Sequence, residues 1–111
     1  MSSDADCILI LCTAPSVDVA TELARGLVEE KLAACVNFFA QVSSVYAWKG
    51  SLEQQQEVQL LIKTRRTRYA DVERWLVEHH PYEVPEVLAI PIEAGSAQYL
   101  AWLREQTESN A

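Results

Sequence analysis

Glycine is scarce and scattered. Gly26, Gly50 and Gly95 are the only three in 111 residues, and none opens a phosphate-cradling loop. Basic residues are few as well, nine against sixteen acidic ones, for a net charge of −7. The densest basic stretch is Arg65, Arg66 and Arg68, too short for a stripe that tracks phosphates, so nucleic acid is not expected as a partner. Long apolar runs are missing. The one nearest the N-terminus, Cys7 to Cys12, is far too short to span a bilayer, and no membrane association is expected. The residues before it, Met1 to Asp6, are polar and acidic and lack the basic start of a secretory signal. Cysteines number three, an odd count, and Cys7, Cys12 and Cys35 lie in or beside apolar segments. Reduced thiols in a cytoplasmic protein are the simplest expectation. Neither serine nor cysteine stands in a nucleophile motif, and two adjacent histidines without a placed acid make a poor triad. The chain is not expected to be an enzyme.

What is present is apolar patterning. Half of the residues are apolar, enough for a single domain over residues 1–111 to bury a core without disulfides. Cys7 to Thr13 is almost wholly apolar, is halted by Pro15, and reads as a strand buried on both faces. Ser16 is placed to cap a helix carrying Asp18 in its first turn, where negative charge suits the helix dipole. Ala20, Leu23, Ala24, Leu27 and Val28 then form one apolar stripe.

Cys35 to Trp48 has no helical stripe and is rich in Val, Phe, Tyr and Trp, so it reads as a second strand. Lys49-Gly50 is the turn, and Leu52 to Arg65 returns as a third. Val58, Leu60 and Ile62 share one face of that strand, while Glu57, Gln59, Leu61 and Lys63 share the other. Thr67 is the expected cap of a second helix bearing Tyr69, Val72, Leu76 and His79, with Trp75 beside them and Pro81 at its end. Val87 to Ile92 is a fourth strand, and Ser96 to Gln106 a last short helix.

The order β-α-β-β-α-β plus a terminal helix is the split βαβ pattern of an α+β, ferredoxin-like sandwich, with both long helices on one face of the sheet. A second strand of about 14 residues spans roughly 45 Å, against a radius of gyration of about 13 Å for such a domain. The hairpin around Trp48-Lys49-Gly50-Ser51 should therefore project, exposing Tyr46, Trp48 and unpaired backbone edges. Neighbouring subunits would cover them. The alternative is a bulge near Ser43-Ser44 that folds the strand back on its own chain.

Six blocks carry a resemblance. They are Leu11-Cys12-Thr13-Ala14-Pro15, the stretch from Lys31 to Asn37, Tyr46-Ala47-Trp48-Lys49-Gly50, Lys63-Thr64, the stretch from His80 to Glu86, and Tyr99-Leu100-Ala101-Trp102. In this order and spacing the chain resembles the CutA divalent-cation-tolerance family from about Ile8 to Leu103. The resemblance implies a cytoplasmic homotrimer of ferredoxin-like subunits that binds copper and takes part in the response to divalent metal ions. It also implies copper ligands at Cys12, His79 and His80, a thiolate and imidazole set that suits copper or zinc. In the expected topology the first strand and second helix run the same way, so their ends share one edge. Adjacent helical residues point about 100° apart, although Pro81 disfavours helical geometry at His80. The competing reading makes Cys12 a small buried side chain and leaves the histidines at the helix C-terminus. A second functional class is a ligand-sensing or scaffolding trimer similar to the PII nitrogen regulators. In it Trp48, Glu57, Lys63, Tyr82 and Glu86 would line a cleft between subunits, and any metal affinity would be incidental.

Overall fold

A computed structural model describes residues 6–108. Its elements run β1 (Cys7–Ala14), α1 (Val17–Glu29), β2 (Cys35–Trp48), β3 (Ser51–Arg65), a 3-10 turn (Arg66–Arg68), α2 (Tyr69–His79), β4 (Leu88–Pro91) and α3 (Ala97–Gln106). The strands make one antiparallel sheet in the order β2-β3-β1-β4. β1, apolar on both faces, is thus flanked on both sides, whereas β2 lies at an edge.

Alternation along the strands sorts the two faces. Ile8, Ile10, Cys12 and Ala14 of β1 join Val58, Leu60 and Ile62 of β3 beneath Ala20, Leu23 and Leu27 of α1 and Val72 and Leu76 of α2. Ser16 caps α1 by accepting the Val19 N–H at 3.2 Å. The apolar stripe of α1 is buried through Leu27, but Val28 at its margin is 42 % exposed. Gly26 lies against the Trp75 indole of α2, and a Cβ there would overlap that ring. On the opposite face Cys7 and Ala34 pack under Leu100 and Leu103 of α3. Ser96 caps α3 by accepting the Tyr99 N–H.

Two local expectations are corrected. Thr67 does not cap α2. It lies within the Arg66–Arg68 turn, and α2 begins after Arg68 with no side-chain cap. The fourth strand is shorter than the expected Val87 to Ile92, although the Ile92 N–H still donates to the Cys7 carbonyl at 3.0 Å.

The hairpin follows its sequence closely. Lys49 and Gly50 both take positive φ, 49° and 83°, the geometry of a tight two-residue hairpin turn. A bulge does interrupt β2, but between Phe39 and Val42 rather than at Ser43-Ser44, with Gln41 at φ 67°. Pairing resumes at Val42↔Glu57 and runs to Trp48↔Ser51, so the strand is bent and not turned back. The molecule measures 48 × 27 × 22 Å with a radius of gyration of 14.6 Å. That elongation agrees with two long strands running past the helices.

Candidate functional site

The C-terminal ends of β1 and α2 meet at one edge of the molecule. Pro81 stops α2 by forcing its predecessor out of helical geometry, and His80 is extended at φ −81°, ψ 140°. That turn sends the His80 ring inward, where it is 8 % exposed. Its Nε2 lies 2.7 Å from the Thr13 carbonyl, and its Nδ1 accepts the Tyr82 N–H at 3.1 Å. Since Nδ1 accepts, Nε2 carries the proton and donates, so His80 is held as the Nε2–H tautomer with both nitrogens engaged.

Cys12 precedes Thr13 on β1 and is completely buried, its thiol in long contact with the Thr13 carbonyl at 3.7 Å. Burial pushes the thiol up to about 12, with the negative charges of Glu86 and Glu57 adding to it. The thiol is therefore protonated at neutral pH. His79 takes a different course: its ring stacks on Trp75 at 4.0 Å and its Nδ1 lies 2.8 Å from the Trp75 carbonyl. Cys12 and His80 are thus brought to one strand end, while His79 is engaged on the surface of its own helix. Among the described residues no group of three or more His, Cys, Asp and Glu is arranged to hold a metal ion.

Beside this edge opens a cleft of about 680 Å³ between the hairpin and the segment after His80. Tyr46, Trp48, Glu57, Tyr82, Glu83 and Glu86 form most of its polar and aromatic wall. Glu57 belongs to the more polar face of β3, yet it is only 7 % exposed. The Tyr82 hydroxyl donates to it at 2.6 Å. Burial and this bond to a carboxylate hold the Tyr82 phenol well above its ordinary range. Gln59 donates to the Cys12 carbonyl at 3.1 Å and reaches toward Glu86 at 3.5 Å, tying β3 to β1 and to the segment before β4. At the hairpin tip Lys49 pairs with Glu83 at 3.6 Å and stands 5.7 Å from the centre of the Trp48 ring. Lys63, by contrast, lies outside this wall, 5.7 Å from the Tyr99 ring. Glu83 was not singled out as a candidate in the sequence, where nothing distinguishes it from other surface acids. Its role depends on a turn that follows Pro81.

Residues 8–106 match the family model described as CutA1 divalent ion tolerance protein. The chain is 50 % identical over 91 residues to a protein CutA homolog of Xenopus laevis, covering 82 % of this chain and 60 % of the frog protein. The chain thus spans less than two thirds of that vertebrate relative. A solved structure of the divalent cation tolerance protein from Thermus thermophilus is 43 % identical, with a TM-score of 0.89 covering 92 % of this chain and 99 % of that one. The periplasmic divalent cation tolerance protein CutA of Archaeoglobus fulgidus is 39 % identical, also with a TM-score of 0.89 and with 92 % and 99 % covered. A family match over nearly the whole described length, together with the same arrangement of strands and helices, leads to one conclusion: the chain belongs to the CutA1 divalent ion tolerance family.

Proposed function

We propose that the protein serves divalent-cation tolerance as a cytoplasmic homotrimer of ferredoxin-like subunits. In this reading it binds copper or another divalent ion through Cys12, His79 and His80 and catalyses no reaction. The observation that carries the assembly is the uncovered part of the second sheet face. Leu88, Phe39 and Ile90 are 56 %, 51 % and 45 % exposed there, and Leu9, Leu11 and Leu61 lie between them only half-buried. On the other face of the hairpin, in phase with Val58 and Leu60, Val45 and Leu52 are 61 % and 81 % exposed. A continuous apolar face of this kind, joined to a projecting hairpin, is what further copies of the chain would cover. The sheet order β2-β3-β1-β4 is also that of a ferredoxin-like subunit.

Support for the metal site comes from Cys12 and His80 meeting at the Thr13 carbonyl, with His79 the next residue along. The chemistry they would supply is soft thiolate and imidazole ligation. Binding must displace the Cys12 proton and free one His80 nitrogen from its present bond. Among the described residues no helix is long and apolar enough to cross a membrane. Light scattering on the metal-free protein should return about three times the 12.5 kDa chain mass, and calorimetry should find one copper site per chain. A monomer, or no copper heat above buffer, contradicts the reading.

A second reading is favoured by the cleft, whose aromatic wall and buried Glu57–Tyr82 pair suit a small effector. In that case the protein is a ligand-sensing trimer similar to the PII regulators, and its metal affinity is incidental.

A further inference from the structure

β2 carries one residue more than its partner strand requires. Phe39 pairs with Gln59 and Val42 with Glu57, so Ala40 and Gln41 both stand opposite Val58 alone. Gln41 is exposed and held at φ 67°, in the left-handed region that residues other than Gly, Asn and Asp seldom adopt. The bulge also has a telling place. β1 accompanies β3 only as far as the Ala14↔Val58 pair, so the bulge lies where β3 loses β1 and only the two-stranded hairpin continues.

Pairing does not need the extra residue. With Gln41 removed, Ala40 would oppose Val58, and every other pair from Cys35↔Lys63 to Trp48↔Ser51 would keep its partner. Opposed residues share a face, so Tyr46 and Trp48 would still lie in phase with Glu57. A residue at positive φ thus adds nothing to register or to facing. What a bulge does change is direction, because it bends its strand and increases the local right-handed twist. Trp48 lies seven positions beyond Gln41, a lever of roughly 23 Å. A turn of about 20° at its base moves the tip by about 8 Å, more than an interface packed like a protein interior can follow.

We infer that the Ala40–Gln41 bulge aims the hairpin at a second copy of this chain, so that assembly depends on the bulge through direction and not through a contact of the Gln41 side chain. This rests on the proposed assembly through the hairpin and adds the element that sets its geometry.

Sedimentation equilibrium of the full chain over a dilution series tests it with three proteins. The wild type should be trimeric. Deletion of Gln41 removes the bulge but keeps pairs and faces. It should raise the concentration at which the assembly dissociates by about thirtyfold or more, equivalent to losing one aromatic anchor. Gln41→Gly removes the side chain but keeps a residue suited to positive φ, and should assemble as tightly as the wild type. Circular dichroism checks that the deletion variant is folded. Should it not fold, Gln41→Val replaces it: a β-branched residue resists positive φ, so this variant should dissociate at a higher concentration than Gln41→Gly. A folded deletion variant that assembles like the wild type overturns the inference. So does equal weakening by Gln41→Gly, which would make the side chain a direct contact, or, in the replacement test, equal assembly of the Val and Gly variants. A monomeric wild type removes the assembly reading and the aiming role with it, whereas a trimeric wild type beside an unaffected deletion variant removes the aiming role alone.

Discussion

Cys12 should make this protein unusually sensitive to alkali. Its thiol is completely buried and pushed from an ordinary 9.0 up to about 12, chiefly by burial and further by Glu86 and Glu57. A group whose pKa is raised on folding contributes stability that is intact below its unfolded pKa and is lost as pH climbs toward the folded one. The window is therefore about pH 9 to 12, in which the unfolded chain has shed the proton and the folded chain still holds it. At about 1.4 kcal/mol per pH unit, the loss between pH 8 and pH 11 comes to about 3 kcal/mol. Cys12→Ala removes the titration but leaves a small cavity costing about 1 kcal/mol. The wild type should then be the more stable at pH 8 and the less stable at pH 11. Urea unfolding followed by circular dichroism, with reductant, chelator and fixed protein concentration, measures the difference directly. Groups common to both proteins, such as Tyr82 and the lysines, largely cancel. Stability curves that stay parallel from pH 8 to pH 11 would refute the buried-thiol account.

Three substitutions probe other parts of the fold. Gly26→Ala places a Cβ into the Trp75 ring and should cost about 1–3 kcal/mol in unfolding free energy, because an indole packed between two helices has little room to shift. Tyr82→Phe leaves the buried Glu57 carboxylate without its donor and should lower stability by about 1–3 kcal/mol. A Glu57→Gln, Tyr82→Phe double variant that loses less than the sum of the two single variants would show the pair acting together. Tyr46→Ser with Trp48→Ser removes two large aromatic side chains from the hairpin and should dissociate the proposed trimer in light scattering or sharply lower its melting temperature. An unchanged mass and melting temperature would mean that those rings do not hold subunits together.

Much of the fold is legible because its signals are local. The bounds of β2 follow from a run of β-branched and aromatic residues closed by Lys49-Gly50, a pair suited to positive φ. Ser16 reads as a cap because it stands just before the apolar stripe of α1, whereas Ser96, expected as the first residue of the last helix, proves to be its cap. Thr67 carried the same signal but lies inside the local Arg66–Arg68 turn, which delays the start of α2 by one residue. Val28 continues the periodicity of α1 yet stays exposed, in an open surface groove that it lines with Val36 of β2.

The site was legible only in part. The shared edge of Cys12 and His80 follows from element directions, and Pro81 indicates the change of backbone course at His80. The engagement of both His80 nitrogens does not follow, because the partners are the backbone of Thr13 and Tyr82. Glu57 sits in the polar phase of β3 and reads as part of a cleft wall between subunits, not as buried within one chain. Its burial comes from Tyr82, 25 residues away, folding across it, and strand alternation carries no trace of that contact.

Copper titration of the trio tests the central proposal most directly. Calorimetry in a weakly coordinating buffer would compare the wild type with Cys12→Ser, His79→Ala, His80→Ala and the triple variant. Ligands of one ion act as a unit, so each single change should weaken copper binding strongly and the triple change should add little. A Cys12→Ser protein that binds like the wild type, or small losses that simply add, would contradict a single site formed by these three residues.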